Sequence, residues 1–367
     1  MELCRICNAA NGNAFSEGEC YICRGGMSKL EGMIEEGIKL AREAGKFSIS
    51  TLMPKDWMSR EEKAWDSRLS GAESLKNHAN RLISSRISAM GPRYDKDGEI
   101  RLVFDLAEGS VSVSQSELFI FGRYLKRSAG LSQSRWVCSS CNGKGCPKCH
   151  GKGKMYESVE ERIGVPMKEA AEAGDYVMHA SGREDVDATN SAGRPFVMEL
   201  KGAKKREMDL AGVSEKIAAS GEVAVTSLRM VPRTFLEIVT ESHFDKTYEA
   251  VTEFGRALEE EDLGKIRALE GRTILQQTPA RVAHRRADLV RHRKVKHIEV
   301  VNAGDAGKLA TLIIKAEAGT YIKELSSGDG GRTNPCVAGT LGCPAACRKL
   351  DVSGIDDGYL DFVLEGL

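Results

Sequence analysis

The chain has no run of 18 apolar residues, which excludes a membrane-spanning helix of ordinary length. It opens with Glu2, Cys4 and Arg5 where a secretory leader would place its apolar core, so a cytoplasmic protein without membrane contact is expected. Charge of one sign is missing too: 53 Lys and Arg balance 53 Asp and Glu, and the whole-molecule field offers no argument for a polyanionic partner. No Gly-x-Gly-x-x-Gly follows a predicted strand. The glycine-rich Ser327-Gly-Asp-Gly-Gly-Arg-Thr333 lacks the Gly-Lys-Ser/Thr ending of a phosphate loop, so neither a dinucleotide nor ATP is indicated. Internal repeats and low-complexity tracts are likewise lacking.

What is present is a globular composition, 41% hydrophobic and 29% charged, over 367 residues, which exceeds one ordinary core and implies two or three domains. Eleven cysteines without an export signal argue against a disulfide scaffold, and their spacing argues for metal. Cys4-x2-Cys7 and Cys20-x2-Cys23 are two knuckles separated by a loop holding Gly12 and Gly18. Four thiolates in this form converge on one Zn2+ and leave no position for a catalytic water. Cys138-x2-Cys141 and Cys146-x2-Cys149, among Gly143, Gly145, Gly151 and Gly153, form a second set. One or two structural Zn2+ are expected. Exchange of ligands between the clusters stays open, and redox chemistry is the weaker alternative. Cys336, Cys343 and Cys347 have a different spacing and are not expected to hold a third metal.

Periodicity predicts helices through Leu30, Met33, Ile34, Ile38 and Ala41, and through Leu75, Ala79, Leu82, Ile83 and Ile87. Strands are predicted at Phe47 to Thr51, Ile100 to Leu106, Val111 to Val113 and Leu118 to Phe121, giving a mixed α/β first part. Beyond Ser158, strands are predicted at Tyr176 to His179, Pro195 to Leu200, Val223 to Leu228, Phe235 to Thr240, Tyr248 to Thr252, Ile298 to Val301, Leu309 to Lys315 and Leu360 to Leu364. Helices are predicted at Lys204 to Ala219 and Asp262 to Leu269. The second part therefore reads as α+β with a mainly antiparallel sheet.

Charge is unevenly placed even though it sums to zero. Between Arg281 and Lys296 seven Lys or Arg face the single acid Asp288, with His284 and His292 in addition, a local field suited to phosphate. Gly122-Arg123-Tyr124 with Arg127 and Arg135-Trp136 interleaves arginine and aromatics, which suits an RNA surface; Tyr124 and Trp136 read equally well as core. Arg332 has two readings, a phosphate contact or a brace for its turn.

The stretch His179 to Ala188 follows a predicted strand, and its Gly182 turn presents Arg183, Glu184, Asp185 and Asp187. Such a loop is either a plain polar turn or a place where a rigid sheet aims charged groups at chemistry. Ala318-Gly-Thr-Tyr-Ile-Lys-Glu-Leu325 follows an apolar strand. An extended chain there would set Tyr321 and Lys323 on one side, an aromatic for a base and a cation for Asp185.

Together Cys4/Cys7 with Cys20/Cys23, Gly122-Arg-Tyr, the run ending Gly153-Lys-Met-Tyr156, Gly182-Arg-Glu-Asp-Val-Asp187, Gly193-Arg-Pro-Phe196, Lys246-Thr-Tyr248, Thr278-Pro, His284-Arg-Arg-Ala-Asp288 and Gly319-Thr-Tyr-Ile-Lys-Glu-Leu325 resemble the archaeal-type tRNA pseudouridine synthases acting on positions 54 and 55 of the T arm. The resemblance implies a zinc-binding, THUMP-like RNA-binding domain over residues 1–155 and a catalytic domain of pseudouridine synthase fold over 156–367. It implies Asp185 as the catalytic carboxylate, with Asp187 the nearest competitor, Tyr321 stacking on the base, Lys323 pairing with Asp185, and Leu325 packing beneath the pocket. Arg123, Arg183, Arg281, His284, Arg285, Arg286 and Arg332 are the implied RNA contacts. The partner is tRNA, with no obligate protein partner, and catalysis needs no cofactor. Asp185 either attacks C1′ or takes the 2′ proton, and both routes stay open. The competing reading is a zinc-containing RNA-binding protein without catalysis.

Overall fold

A computed structural model of the chain describes residues 1–42, 44–65, 71–96, 98–283, 287–303 and 308–366. They form two compact units. One comprises Met1–Glu117 with Glu172–Gly174 and Lys201–Arg206; the other comprises Leu118–Ala171, Asp175–Leu200 and Glu207–Leu367.

In the first unit a short parallel pair, β1 (Glu2–Leu3) and β2 (Ser16–Glu17), flanks α1 (Arg5–Ala10), which carries the first knuckle. Behind it lie α2 (Leu30–Ala41), β3 (Lys46–Leu52), α3 (Lys55–Trp65) and α4 (Leu75–Ser88). β4 (Arg93–Tyr94), β5 (Ile100–Asp105) and β6 (Ser110–Gln115) complete a sheet of order β4-β3-β5-β6. Leu102 and Phe104 alternate into the core, where the i, i+3, i+4 face of α2 supplies Leu30, Met33 and Ile34. Full burial of each such side chain contributes about 1.5–3 kcal/mol. Gly37 lets α2 approach, since a Cβ there would lie 2.8 Å from the Phe104 ring. Both expected helices and three of the four expected strands are present here, and the fourth, at Leu118 to Phe121, belongs to the second unit.

The second unit is built on one large sheet. Its strands are β7 (Leu118–Lys126), β8 (Asp175–Ala180), β9 (Thr189–Lys201), β10 (Val223–Met230) and β11 (Lys246–Phe254), then β12 (Thr273–Gln277), β13 (Val290–Ala303), β14 (Leu309–Ala316), β15 (Thr333–Asn334) and β16 (Ala345–Ile355). They run in the order β10-β7-β9-β16-β11-β14-β13-β12-β15, with β8 beside β9. The β7–β9, β11–β14 and β13–β14 pairs are antiparallel, while β9 meets β16 in a short parallel seam at Thr189 and Asp351. That seam puts the turn between β8 and β9 at the middle of the sheet. The helices are α5 (Val159–Ala171), α6 (Leu210–Ala218), α7 (Thr234–Glu241), α8 (Glu260–Arg267), α9 (Ile322–Ser327), α10 (Val337–Leu341) and α11 (Gly358–Glu365). This is the α+β architecture with a mainly antiparallel sheet that the sequence implies.

Several expectations are corrected. Phe235 to Thr240 is helical, α7, with Phe235 and Val239 buried one turn apart. Leu360 to Leu364 is also helical, α11, with Leu360 and Leu364 buried and Phe362 exposed. The helix expected from Lys204 starts at Leu210, where Asp209 caps it by accepting from the Gly212 N–H at 3.0 Å. The units divide at Glu117/Leu118, ahead of the border expected at 155/156, because β7 pairs with β9 and β10 in the large sheet. The second cysteine cluster therefore belongs to the second unit. Among the described residues, no helix is long and apolar enough to cross a membrane.

Candidate active site

The turn between β8 and β9 is held from below through its own carbonyls. Lys126 of β7 donates to the Asp185 and Val186 carbonyls at 3.0 and 2.9 Å. Gln133 donates to the Gly182 carbonyl at 2.8 Å, and Arg194 to that of Ser181 at 2.9 Å. Gly182 sits at φ +80, and a Cβ there would come within 3.0 Å of the Arg194 guanidinium, so both conformation and space select glycine.

Consecutive carboxylates then point opposite ways. Glu184 turns inward and forms an ion pair with Arg194, 2.8 Å from its Nε, with both side chains about 1% exposed. The Tyr124 hydroxyl donates to Glu184 at 2.8 Å and itself accepts from Gln133 at 2.9 Å. Burial, and then the Glu184 charge, push the Tyr124 phenol well above its ordinary value, so it stays a donor. Burial opposes the Arg194 charge, but Glu184 outweighs it and holds that guanidinium firmly protonated.

Asp185 turns outward into a cavity of about 600 Å³. Arg281 grips it through both guanidinium ends, at 3.0 Å to Oδ1 and 2.8 Å to Oδ2. The Arg281 Nε donates to the buried Glu324 at 2.7 Å, so one arginine bridges two carboxylates. Lys323 stands 3.6 Å from Asp185 and 2.5 Å from Asp187. The expected Lys323–Asp185 pair is therefore the looser one. Burial raises the Asp187 carboxyl, but the Lys323 hydrogen bond and charge, with Arg281 behind, hold it below the usual range.

Tyr321 and Lys323 do not share an extended strand. Tyr321 caps the N-terminus of α9, and Gln276 fixes it by accepting from its N–H at 2.8 Å and donating to its carbonyl at 2.9 Å. The helix begins because Gly319, at φ +80, reverses the chain after β14. Tyr321, Lys323 and Asp185 all line the cavity. Leu325 does not: it lies one helical turn on, fully buried in the core, and Val186, Val282, Ile322, Leu350 and Val352 are among the apolar side chains of the lining.

The implied RNA contacts divide. Arg183 is exposed at the cavity wall. Arg123 is tied to Asp357 and Asp361 at 2.9 and 2.8 Å, which satisfies its charge within the unit. Arg281 is committed to Asp185 and Glu324. Arg332 donates to the Thr278 carbonyl at 2.9 and 2.7 Å and pairs with Asp288 at 2.6 Å, the bracing alternative. His284, Arg285 and Arg286 lie outside the described residues.

The sequence assigns no separate role to the inner network of Lys126, Gln133, Glu184 and Arg194, to the cavity-lining Lys246 and Tyr248, or to Glu324, although most of them fall within the quoted motifs. Burial, followed by repulsion from Arg194, lowers Lys246 to about 8, and burial raises Tyr248 to about 12. The available signal was Lys or Arg inside apolar strand runs, at Lys126 and Arg194, which demands a buried partner.

Each cysteine cluster brings its four Sγ atoms within 4.8 Å of one another, and each is able to hold a metal ion. Sγ separations are 3.6 Å for Cys4–Cys23 and 3.8 Å for both Cys138–Cys146 and Cys141–Cys149. A tetrahedron with bonds of about 2.3 Å has edges of about 3.8 Å, so the sulfur cages have the size of a thiolate-bound zinc shell. Backbone N–H groups of Gly145 and Gly153 point at the Cys141 and Cys149 sulfurs at 3.2 Å. At Gly153 a Cβ would lie 2.3 Å from the Gly143 carbonyl, so the knuckle closes only around glycine.

The Pus10 C-terminal family matches residues 119–356. The tRNA pseudouridine synthase Pus10 of Archaeoglobus fulgidus is 37% identical over 362 residues, covering 97% of this chain and 100% of that one. The same enzyme of Methanothrix thermoacetophila is 36% identical over 360 residues, covering 95% and 79%. That of Methanothermobacter marburgensis is 39% identical over 350 residues, covering 92% and 86%. With the family matched from β7 to the end of β16 and relatives at 36% and 37% identity covered over most of their length, the chain belongs to the Pus10 family.

Proposed function

We propose that this chain isomerises uridine to pseudouridine in the T arm of tRNA, at positions 54 and 55, with Asp185 as the reacting carboxylate. One observation carries the reading: an outward-facing carboxylate, gripped at both oxygens by Arg281, stands in a cavity with Tyr321 and Lys323. The C1′–N1 bond breaks, the uracil turns within the cavity, and C1′ bonds to C5; the C5 proton leaves as N1 gains one, so no atom is lost. Asp185 serves by attacking C1′ or by taking the 2′ proton. Arg281, fixed by Glu324, holds the carboxylate by both oxygens and keeps it aimed into the cavity. Tyr321 offers a ring face to the base, and Lys323 with Asp187 closes the rim. The uridine must leave its stack, at a few kcal/mol, and Arg183 is placed to hold it once displaced.

The first unit serves as a THUMP-like RNA grip and the setting is cytoplasmic. Both cysteine clusters hold structural zinc, and catalysis uses no cofactor. Incubating the protein with an unmodified tRNA transcript and mapping pseudouridine by position tests the activity; product at 54, 55 or both is expected. Binding without product would leave the non-catalytic reading standing.

The metals have their own test. Changing Cys4 and Cys7 to Ser is expected to unfold the first unit and weaken tRNA binding at least tenfold, because structural zinc contributes folding free energy outright. Circular dichroism with a binding titration reads both. Unchanged unfolding and affinity would remove the structural metal there.

A further inference from the structure

Besides the exposed Arg183 and the buried Lys246, the cations lining the cavity divide by what they touch. Arg194, Arg281 and Lys323 each face a carboxylate, and so belong to the machinery that positions Asp185. Arg291 and Arg293 line the same cavity, yet among the described residues neither has a carboxylate at ion-pair distance. Among the described residues Arg291 donates to the Thr278 hydroxyl at 3.0 Å and the Leu289 carbonyl at 3.3 Å, with its guanidinium 5.8 Å from the Tyr321 ring. Arg293 donates through Nη1 to the His292 carbonyl at 2.7 Å. Its Nε is shielded from solvent and has no hydrogen-bond partner among the described residues.

An arginine donor hidden from water without an acceptor costs free energy, and a protein keeps one where something else completes it. The space for that acceptor is preserved by Gly319. A Cβ there would stand 3.4 Å from Nη2 and 3.5 Å from Nε, on the edge of the guanidinium that binds oxyanions in a forked manner. The strand fixes the spacing. Positions 291 and 293 of β13 share a face while His292 and Lys294 point away, so the two arginines are offset by about 6.6 Å along the chain. That offset is comparable to the separation of neighbouring phosphates on an extended single strand.

We propose that Arg291 and Arg293 form a phosphodiester subsite, taking the two phosphates that flank the uridine drawn into the cavity. The inference rests on the RNA-modifying reading above and names the part of the RNA backbone that this wall receives. Arg281 is set apart from this subsite because all three of its nitrogens already face the carboxylates of Asp185 and Glu324.

The test uses the full-length protein and an unmodified tRNA transcript, with Kd followed over a KCl series. Arg291→Gln and Arg293→Gln are each expected to reduce the slope of log Kd against log salt by about 0.7 to 1, and the double variant by the sum. Lys294→Gln, on the opposite face, is expected to leave the slope within error. Arg293→Lys keeps the charge but loses the fork, so it should hold the slope while slowing single-turnover product formation at saturating RNA at least fivefold. An unchanged slope in the double variant would overturn the subsite, as would equal losses from Lys294→Gln, which would signal a general field. If the wild type binds with the expected slope but forms no pseudouridine, the isomerase reading fails and the subsite stands.

Discussion

Asp185→Asn will bind tRNA with affinity within about threefold of the wild type and form pseudouridine at least about a hundredfold more slowly, given the two to four decades that a positioned acid–base or nucleophilic group contributes. The amide is neutral, so it neither attacks C1′ nor accepts the 2′ proton. It also turns an N–H toward Arg281, where the native carboxylate offers two acceptors at 3.0 and 2.8 Å. Binding is spared because the change removes a negative charge from a surface that meets phosphate. Asp187→Asn should be far milder, within about tenfold in kcat. Its side chain is 70% exposed, against 32% for Asp185, and its partner is the single amine of Lys323. Single-turnover assays at saturating tRNA, with Kd measured separately, distinguish the two. Should Asp187→Asn be the dead variant and Asp185→Asn the mild one, the carboxylates have exchanged roles and the bidentate grip of Arg281 is structural.

The cysteine clusters were legible in the sequence because metal ligation is local: ligand identity and spacing state the geometry before any fold is known. Strands such as β5 and β14 were legible for a related reason, since one face is buried and the alternation survives in the residues. Misreadings came where a short apolar run fits two periods. Leu360, Phe362 and Leu364 alternate like a strand, yet only the first and last are buried, one helical turn apart, and Phe362 faces outward. At the site, the turn carrying Asp185 was visible as a motif, but its counter-ion was not. Lys323 and Arg281 are both cations at plausible distance in sequence, and the choice between them is made by Glu324, a buried acid that fixes the guanidinium. Arg123 and Arg332 show the same limit. An arginine reads as a phosphate ligand until the fold places Asp357, Asp361 or Asp288 against it.

Arg194→Met is expected to destabilise the second unit by about 3–5 kcal/mol, the typical result of stranding one partner of a buried ion pair. Thermal unfolding should fall by roughly 6 to 20 °C for a unit of this size. The loss is larger than Arg194's own bonds suggest, because the buried Glu184 carboxyl loses its ion-pair partner and keeps the Tyr124 hydroxyl as its hydrogen-bond donor. Adding Glu184→Gln removes that stranded charge while keeping an acceptor for Tyr124, so the double variant should recover more than half of the deficit. Additive losses would mean that the pair is uncoupled and the turn is held by Lys126 and Gln133 alone. Recovery of stability need not restore turnover. Arg194 also donates to the Ser181 carbonyl at 2.9 Å, and losing that bond loosens the turn from which Asp185 projects. A double variant that regains its melting temperature yet stays at least tenfold slow in single turnover would show that the buried pair does two separable things. It neutralises a charge in the core, and it sets the angle at which the next residue enters the cavity.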